Sequence, residues 1–202
     1  MRGEYLYVAE GSGGVEVYDV ASIGNKGVSQ RAITAPFSPL GHDTHIGSKD
    51  ATCIALPTNQ PIHPPRNTGD KMRKANLEQP FHPMYNYAYI TDAQEGLILT
   101  EVNTLADGEP RNNYLKRALT WNPNGALNGA RHIAVGGYYL YIATKRGLAP
   151  VSVDVPLKPQ LVAEVPLNDA RASALQFRYL FAVDADGLKT IDVTVPKTPR
   201  LV

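Results

Sequence analysis

Residues 128–162 read NGARHIAVGGYYLYIATKRGLAPVSVDVPLKPQLV, and residues 168–202 read NDARASALQFRYLFAVDADGLKTIDVTVPKTPRLV. At an offset of 40 they are one pattern written twice. Ala130-Arg131 falls on Ala170-Arg171, Tyr139-Leu140-Tyr141 on Tyr179-Leu180-Phe181, Gly147-Leu148 on Gly187-Leu188, and Pro156 and Pro159 on Pro196 and Pro199; Asp154-Val155 falls within two residues of Asp192-Val193. A period of this length belongs to stacked or radial repeat architectures. Within each copy, apolar pieces of four to six residues rich in Val, Ile, Tyr and Phe are bounded by Gly, Asp and Pro, which is the strand signal. Four strands per unit follow: HIAV or ASAL, YLYIA or YLFAV, PVSVDV or LKTIDV, and LVAEV or RLV. TKRG and DADG supply the glycine that a tight hairpin needs between the second and third strands.

The same template continues toward the N-terminus. NYAYITDAQEGLILTEV (residues 86–102) holds a second strand, a hairpin and a third strand, and its first strand lies upstream in DATCIAL (50–56), which matches DARASAL (169–175). Residues 57–85 are then an insertion within one unit. EYLYVAEGSGGVEVYDV (4–20) repeats the hairpin half again, with no first strand before it. Units joined by hairpins and short loops suggest an all-β chain, a β-propeller or an arc of one, with about four four-stranded blades. The blades run over residues 1–49 (incomplete), 50–127 (with 57–85 inserted), 128–167 and 168–202. One domain accommodates them all.

The 202 residues carry 20 basic and 19 acidic side chains, a formal charge of +1. No global attraction to nucleic acid follows from that balance. The basic and aromatic run KMRKANLEQPFHPMYNY (71–87) is read as a loop that packs on a blade or meets a protein rather than a single-strand platform. Cys53 is the one cysteine, so no internal disulfide, CxxC pair or haem-attachment motif exists, and a lone cysteine reads as a small buried hydrophobe. No apolar run approaches a membrane span, and MRGEYLYVAEG has no signal-peptide core.

The quoted units resemble the LVIVD-repeat β-propellers, whose unit runs approximately YVADGxxGLxVVDVSxPxxPxLV. YLYIATKRGLAPVSVDVPLKPQLV and YLFAVDADGLKTIDVTVPKTPRLV carry the whole pattern, YLYVAEGSGGVEVYDV and YAYITDAQEGLILTEV its hairpin half. The resemblance implies an exported or surface-associated module within a ring of six to eight blades, of which this chain forms part, and it implies no catalytic residue set. The expected function is a non-catalytic scaffold that binds a protein or surface ligand through its non-repeating loops.

Three residue groups stand out beside that reading. His42, Asp43, His45, His63 and His82 offer imidazole and carboxylate groups that could hold a transition metal, the one cofactor the sequence suggests, or face a cytochrome. HDTH spacing alone is a weak signal, and the prolines flanking His63 and His82 favour extended, solvated loops. Arg131, His132 and Arg171 lie on or beside first strands, where a propeller's central channel binds ligands or, as a third reading, performs hydrolase or lyase chemistry; the arginines could instead brace blades against the Asp of the Asp-Val step. Cys53 and Ser173 are placed at corresponding first-strand positions, with His132 one residue earlier. GSGG (11–14) and Asp184-Ala-Asp186-Gly187 align with hairpin turns, which argues against a phosphate cradle and a calcium loop.

Overall fold

The computed structural model describes residues 1–20, 33–34, 43–109 and 112–202. It is all-β, with four antiparallel sheets and only short helical turns between them. In the first sheet β1 (Tyr5–Ala9) pairs β2 (Val15–Asp19), and two short strands, β3 (Ile33–Thr34) and β4 (His45–Ile46), share the far edge of β2. The second sheet runs β5 (Ala51–Ala55), β6 (Tyr87–Asp92), β7 (Gly96–Glu101), β8 (Lys116–Trp121). The third runs β9 (His132–Gly136), β10 (Tyr139–Thr144), β11 (Gly147–Ser152), whose far edge takes β12 (Gln160–Leu161) and β13 (Val165–Pro166). The fourth repeats that order with β14 (Ala172–Gln176), β15 (Tyr179–Asp184), β16 (Gly187–Asp192) and β17 (Arg200–Leu201). Each of the twin units is therefore one sheet, as the 40-residue offset requires.

Period-2 alternation gives every sheet two apolar faces, and the sheets pack face to face in series. One face carries an aromatic on the second strand and an aliphatic on the third: Tyr7 with Val15, Tyr89 with Leu97, Tyr141 with Leu148. Against it lies the aliphatic pair of the following sheet: Ile90 with Ile98, Ile142 with Ala149 beside Leu140 and Val151, and Leu180 with Ile191. First strands sit side by side, β5 against β9 and β9 against β14, the arrangement of propeller blades around an axis. The four sheets form an arc rather than a closed barrel: Leu188, equivalent to Leu97 and Leu148, is 66 % exposed where those are 0 % and 1 %.

The first sheet keeps one rung of a first strand. Arg2 pairs with Tyr5 across a turn with Gly3 at φ 57°, as Gly136 pairs with Tyr139 across Gly137 (φ 57°) and Gln176 with Tyr179 across Phe177 (φ 54°). Two registers differ from the expectation. A bulge at Thr52 puts Cys53 opposite Thr91, the place held by His132 opposite Ala143 and Ala172 opposite Val183; Cys53 thus corresponds to His132, and Ser173 lies one residue further on. Ser152, not Asp154, stands opposite Tyr139 where Asp192 stands opposite Tyr179, so the Asp of the third unit has slipped into the following turn.

Gly147 is required by the third sheet's construction. Its φ is 134°, and a Cβ there would lie 2.1 Å from the Val165 carbonyl oxygen, because β13 crosses it. Gly187 has φ 122° and open space around it.

Candidate functional site

The candidate groups lie at two ends of the sheets. At one, the hairpins between second and third strands, residues 10–14, 92–96, 144–147 and 184–187, gather with the segments that lead into the first strands. A polar cleft of about 950 Å³ opens there, lined by Asp50, Thr52, Gln94, Arg131, Lys145 and Arg146 among others. Its two arginines are engaged within the protein. The Arg131 guanidinium donates to the Asp169 carboxylate at 2.9 Å, and Arg171 approaches the same carboxylate at 3.4 Å; Arg146 meets Glu164 at 3.4 Å. Arg131 does brace neighbouring sheets, but through Asp169, which sits before the fourth sheet's first strand at φ 56°, and not through the Asp of the Asp-Val step; Arg171 meets the same carboxylate from within its own unit. Hydrogen bonding to Arg131 is the main reason the Asp169 carboxyl titrates below its ordinary range. One sheet earlier, the corresponding Thr52 hydroxyl donates to the Ala130 carbonyl at 3.0 Å. Each of these two first strands thus begins with a side chain that ties it to the following sheet.

His132 is half-buried on β9 and its Nδ1 accepts the Ser173 backbone N–H at 3.3 Å, with Ser173 Oγ at 3.4 Å. Burial lowers its pKa, and the accepted bond leaves the proton on Nε2. The geometry is that of a third tie between sheets. A nucleophile-base pair also needs a group to orient the base, and among the described residues no carboxylate is hydrogen-bonded to His132.

The other end carries the insertion, residues 56–86 between β5 and β6. It is an ordered segment: helical turns cover Pro64–Asn67, Lys71–Ala75 and Pro83–Asn86. Its anchor is Arg2, only 3 % exposed. The Arg2 guanidinium donates to the carbonyls of Gln60 (3.2 Å), Ile62 and Tyr85 (3.2 Å), and the Gly3 N–H donates to Asn59. Five N–H donors on a planar fork let one cation satisfy several carbonyls at once; burial lowers its pKa, opposed by the nearby Tyr7 hydroxyl.

A second clasp reaches the third sheet. The His82 ring stacks on Tyr138 with centroids 4.2 Å apart and planes at 25°, its Nδ1 accepts the Met84 N–H at 3.2 Å, and its Nε2 lies 3.6 Å from Asp154 Oδ1. Beyond these anchors the segment projects Leu77, 76 % exposed with φ 55°, and Phe81, 40 % exposed. Lys71, Arg73 and Lys74 stand beside them, with Lys74 paired to Asp70 at 3.0 Å.

The histidines are divided between the two ends. His45 Nε2 lies 2.5 Å from the Gly13 carbonyl oxygen on the first sheet's hairpin, and Asp43 accepts the His45 N–H at 2.8 Å. His63 precedes the first helical turn of the insertion, while His82 is packed on Tyr138 instead of extended into solvent. His42 lies outside the described residues. Among the described residues no three His, Cys, Asp or Glu side chains gather as metal ligands. Cys53 is a free thiol packed at the edge of the core between the second and third sheets.

With the geometry in place, comparison with known proteins adds one finding: residues 129–164, the third sheet with its approach segment and outer strand, match the model of the LVIVD repeat. The third sheet is similar to an LVIVD repeat. No curated protein matches the chain. The fourth sheet repeats the matched stretch at offset 40, and the hairpins β1–β2 and β6–β7 share its Tyr and Gly positions. No helix among the described residues is long and apolar enough to cross a membrane.

Arg2, Thr52, Tyr138 and Asp169 escaped the reading of the sequence as functional residues. Only Asp169 left a signal, the shared Asp of DATCIAL and DARASAL.

Proposed function

We propose that this chain is a non-catalytic LVIVD-repeat scaffold, exported or held at a cell surface, that binds a protein partner through its insertion. The observation that carries this reading is the tip at Leu77 and Phe81: two large apolar side chains are held in solvent on a segment fastened by a buried arginine and a histidine stack. An ordered loop of this length in a compact fold is characteristic of binding loops, and apolar anchors beside cations suit a partner surface that is itself apolar and acidic at its rim. The cleft at the opposite end supports a ligand site less well, since Arg131 and Arg146 are already paired within the protein.

A photo-crosslinker placed at position 77 or 81 should yield a discrete adduct in the native extracellular or envelope fraction, and one at exposed Lys197 should not. Unlabelled protein should compete the adduct away, while a Leu77→Asp/Phe81→Asp variant with an unchanged circular dichroism spectrum should not. Equal labelling from all three positions sinks the proposal.

A further inference from the structure

Among the described residues, four that are not glycine hold a positive φ: Leu77 (55°), Asn124 (51°), Asp169 (56°) and Phe177 (54°). Asn and Asp visit this region because their short polar side chains bond to nearby backbone, whereas the Cβ of a bulky apolar residue crowds the following carbonyl there. Surrounding packing ordinarily holds a residue in such strain. Leu77 and Phe177 have little packing to offer, since they are 76 % and 92 % exposed. They also stand at the same end of the sheets, where first strands turn into second strands; the insertion replaces that turn in the second sheet. In the first and third sheets the turn is made by Gly3 and Gly137, each at φ 57°, and the fourth sheet sets Phe177 in the same conformation. Glycine serves this turn without strain. The phenylalanine is therefore placed for what it meets outside the chain. A cation accompanies it: the Arg178 guanidinium lies 4.9 Å from the Tyr179 ring centroid and donates to the Tyr179 hydroxyl at 2.7 Å, as Lys71 and Arg73 accompany Leu77.

We infer that Phe177 is a second apolar anchor for the protein that the insertion binds. The partner's face then carries two separate apolar sockets, one for Leu77 with Phe81 and one for Phe177, bordered by carboxylates that meet Lys71, Arg73 and Arg178. The inference rests on the reading of the insertion given above and extends its footprint from the second sheet across the third to the fourth. An exposed aromatic ring beside an arginine has the composition of an interface centre. Lys197 lies outside this footprint, because it belongs to the turn between third and fourth strands, two strand spacings or about 10 Å further out.

The test places p-benzoylphenylalanine at position 177 of the full chain. In the envelope fraction it should capture the same protein as a crosslinker at 77 or 81, at a separate site on that protein. Phe177→Gly decides whether the residue serves the fold or the partner. Its urea midpoint should hold or rise, because strain is relieved and almost no packing is lost, while the adduct from position 81 falls about tenfold at subsaturating protein. A lowered midpoint makes Phe177 structural and overturns the inference; so does an adduct from position 81 that Phe177→Gly leaves unchanged. Capture from 77 and 81 but not from 177 overturns it while sparing the reading of the insertion, and capture from none of the three removes both. Sedimentation with phosphatidylglycerol vesicles that is lost in Phe177→Gly assigns the surface to lipid and overturns it as well.

Discussion

Replacing Arg2 by alanine should release the insertion while leaving the third and fourth sheets folded. The side chain donates to three carbonyls, of Gln60, Ile62 and Tyr85, from a nearly water-free position. Hydrogen bonds from a charged donor contribute about 1.5–3 kcal/mol each, and a buried acceptor left bare costs about 1–3 kcal/mol. Against this, alanine removes the cost of keeping a guanidinium out of water, and the loosened loop lets water reach the carbonyls. The net loss expected is about 3 kcal/mol, with the turn to Tyr5 intact because it is made by backbone groups. Trypsin reads this directly, since Arg66, Lys71, Arg73 and Lys74 lie in the segment that Arg2 fastens. If local opening governs cleavage, 3 kcal/mol corresponds to about a hundredfold faster nicking at these sites. Arg2→Lys should recover only part of the protection, because an ammonium is a point donor without the planar fork. An Arg2→Ala protein nicked at the parent rate, with an unchanged urea midpoint, refutes the anchor.

Two further outcomes follow from backbone and electrostatic detail. Gly147→Ala should destabilise more than Gly187→Ala in urea titrations: both incur the strain of a positive φ, about 1–3 kcal/mol, but only at Gly147 does the new Cβ strike backbone, that of Val165 and Leu167. Asp92 is buried, which by itself raises its carboxyl, yet it accepts the backbone N–H groups of Asp50, Glu95 and Gln94 at 2.7, 2.7 and 2.8 Å, and the balance holds its pKa below the ordinary value. A folded pKa below the unfolded one stabilises above the unfolded value, about 3.9, and the contribution is lost as pH falls through the folded value. Asp92→Asn should therefore lower the urea midpoint at pH 7 and flatten its decline below about pH 4; equal slopes in parent and variant disprove the assignment.

The sheets were legible because their signals are local. Period-2 alternation, a glycine at each hairpin and a fixed offset specify β9–β11 and β14–β16 almost residue by residue, and the same template finds β1–β2 and β5–β7. Registers failed where one residue was gained or displaced, at the Thr52 bulge and at Asp154, since a pattern match tolerates a slip that a ladder does not. The site was far less legible. His45 and His82 look like members of one cluster along the chain, but they belong to opposite ends of the sheets, and spacing carries no information about which end a loop occupies. Arg2 gave no signal, because its three acceptors are carbonyls, which every residue possesses. Arg131 was expected to reach the Asp of the Asp-Val step, but its partner is Asp169, set by the approach to the next sheet, a long-range contact invisible in strand periodicity, while Arg171 meets the same carboxylate two residues away.

The insertion touches three sheets at once: Arg2 belongs to the first, its two ends to the second, and Tyr138 and Asp154 to the third. It therefore behaves as a strut across two seams. Any force that opens or tightens the angle between those blades must pull on the strut, so the attitude of Leu77 and Phe81 toward a partner is geared to the curvature of the arc.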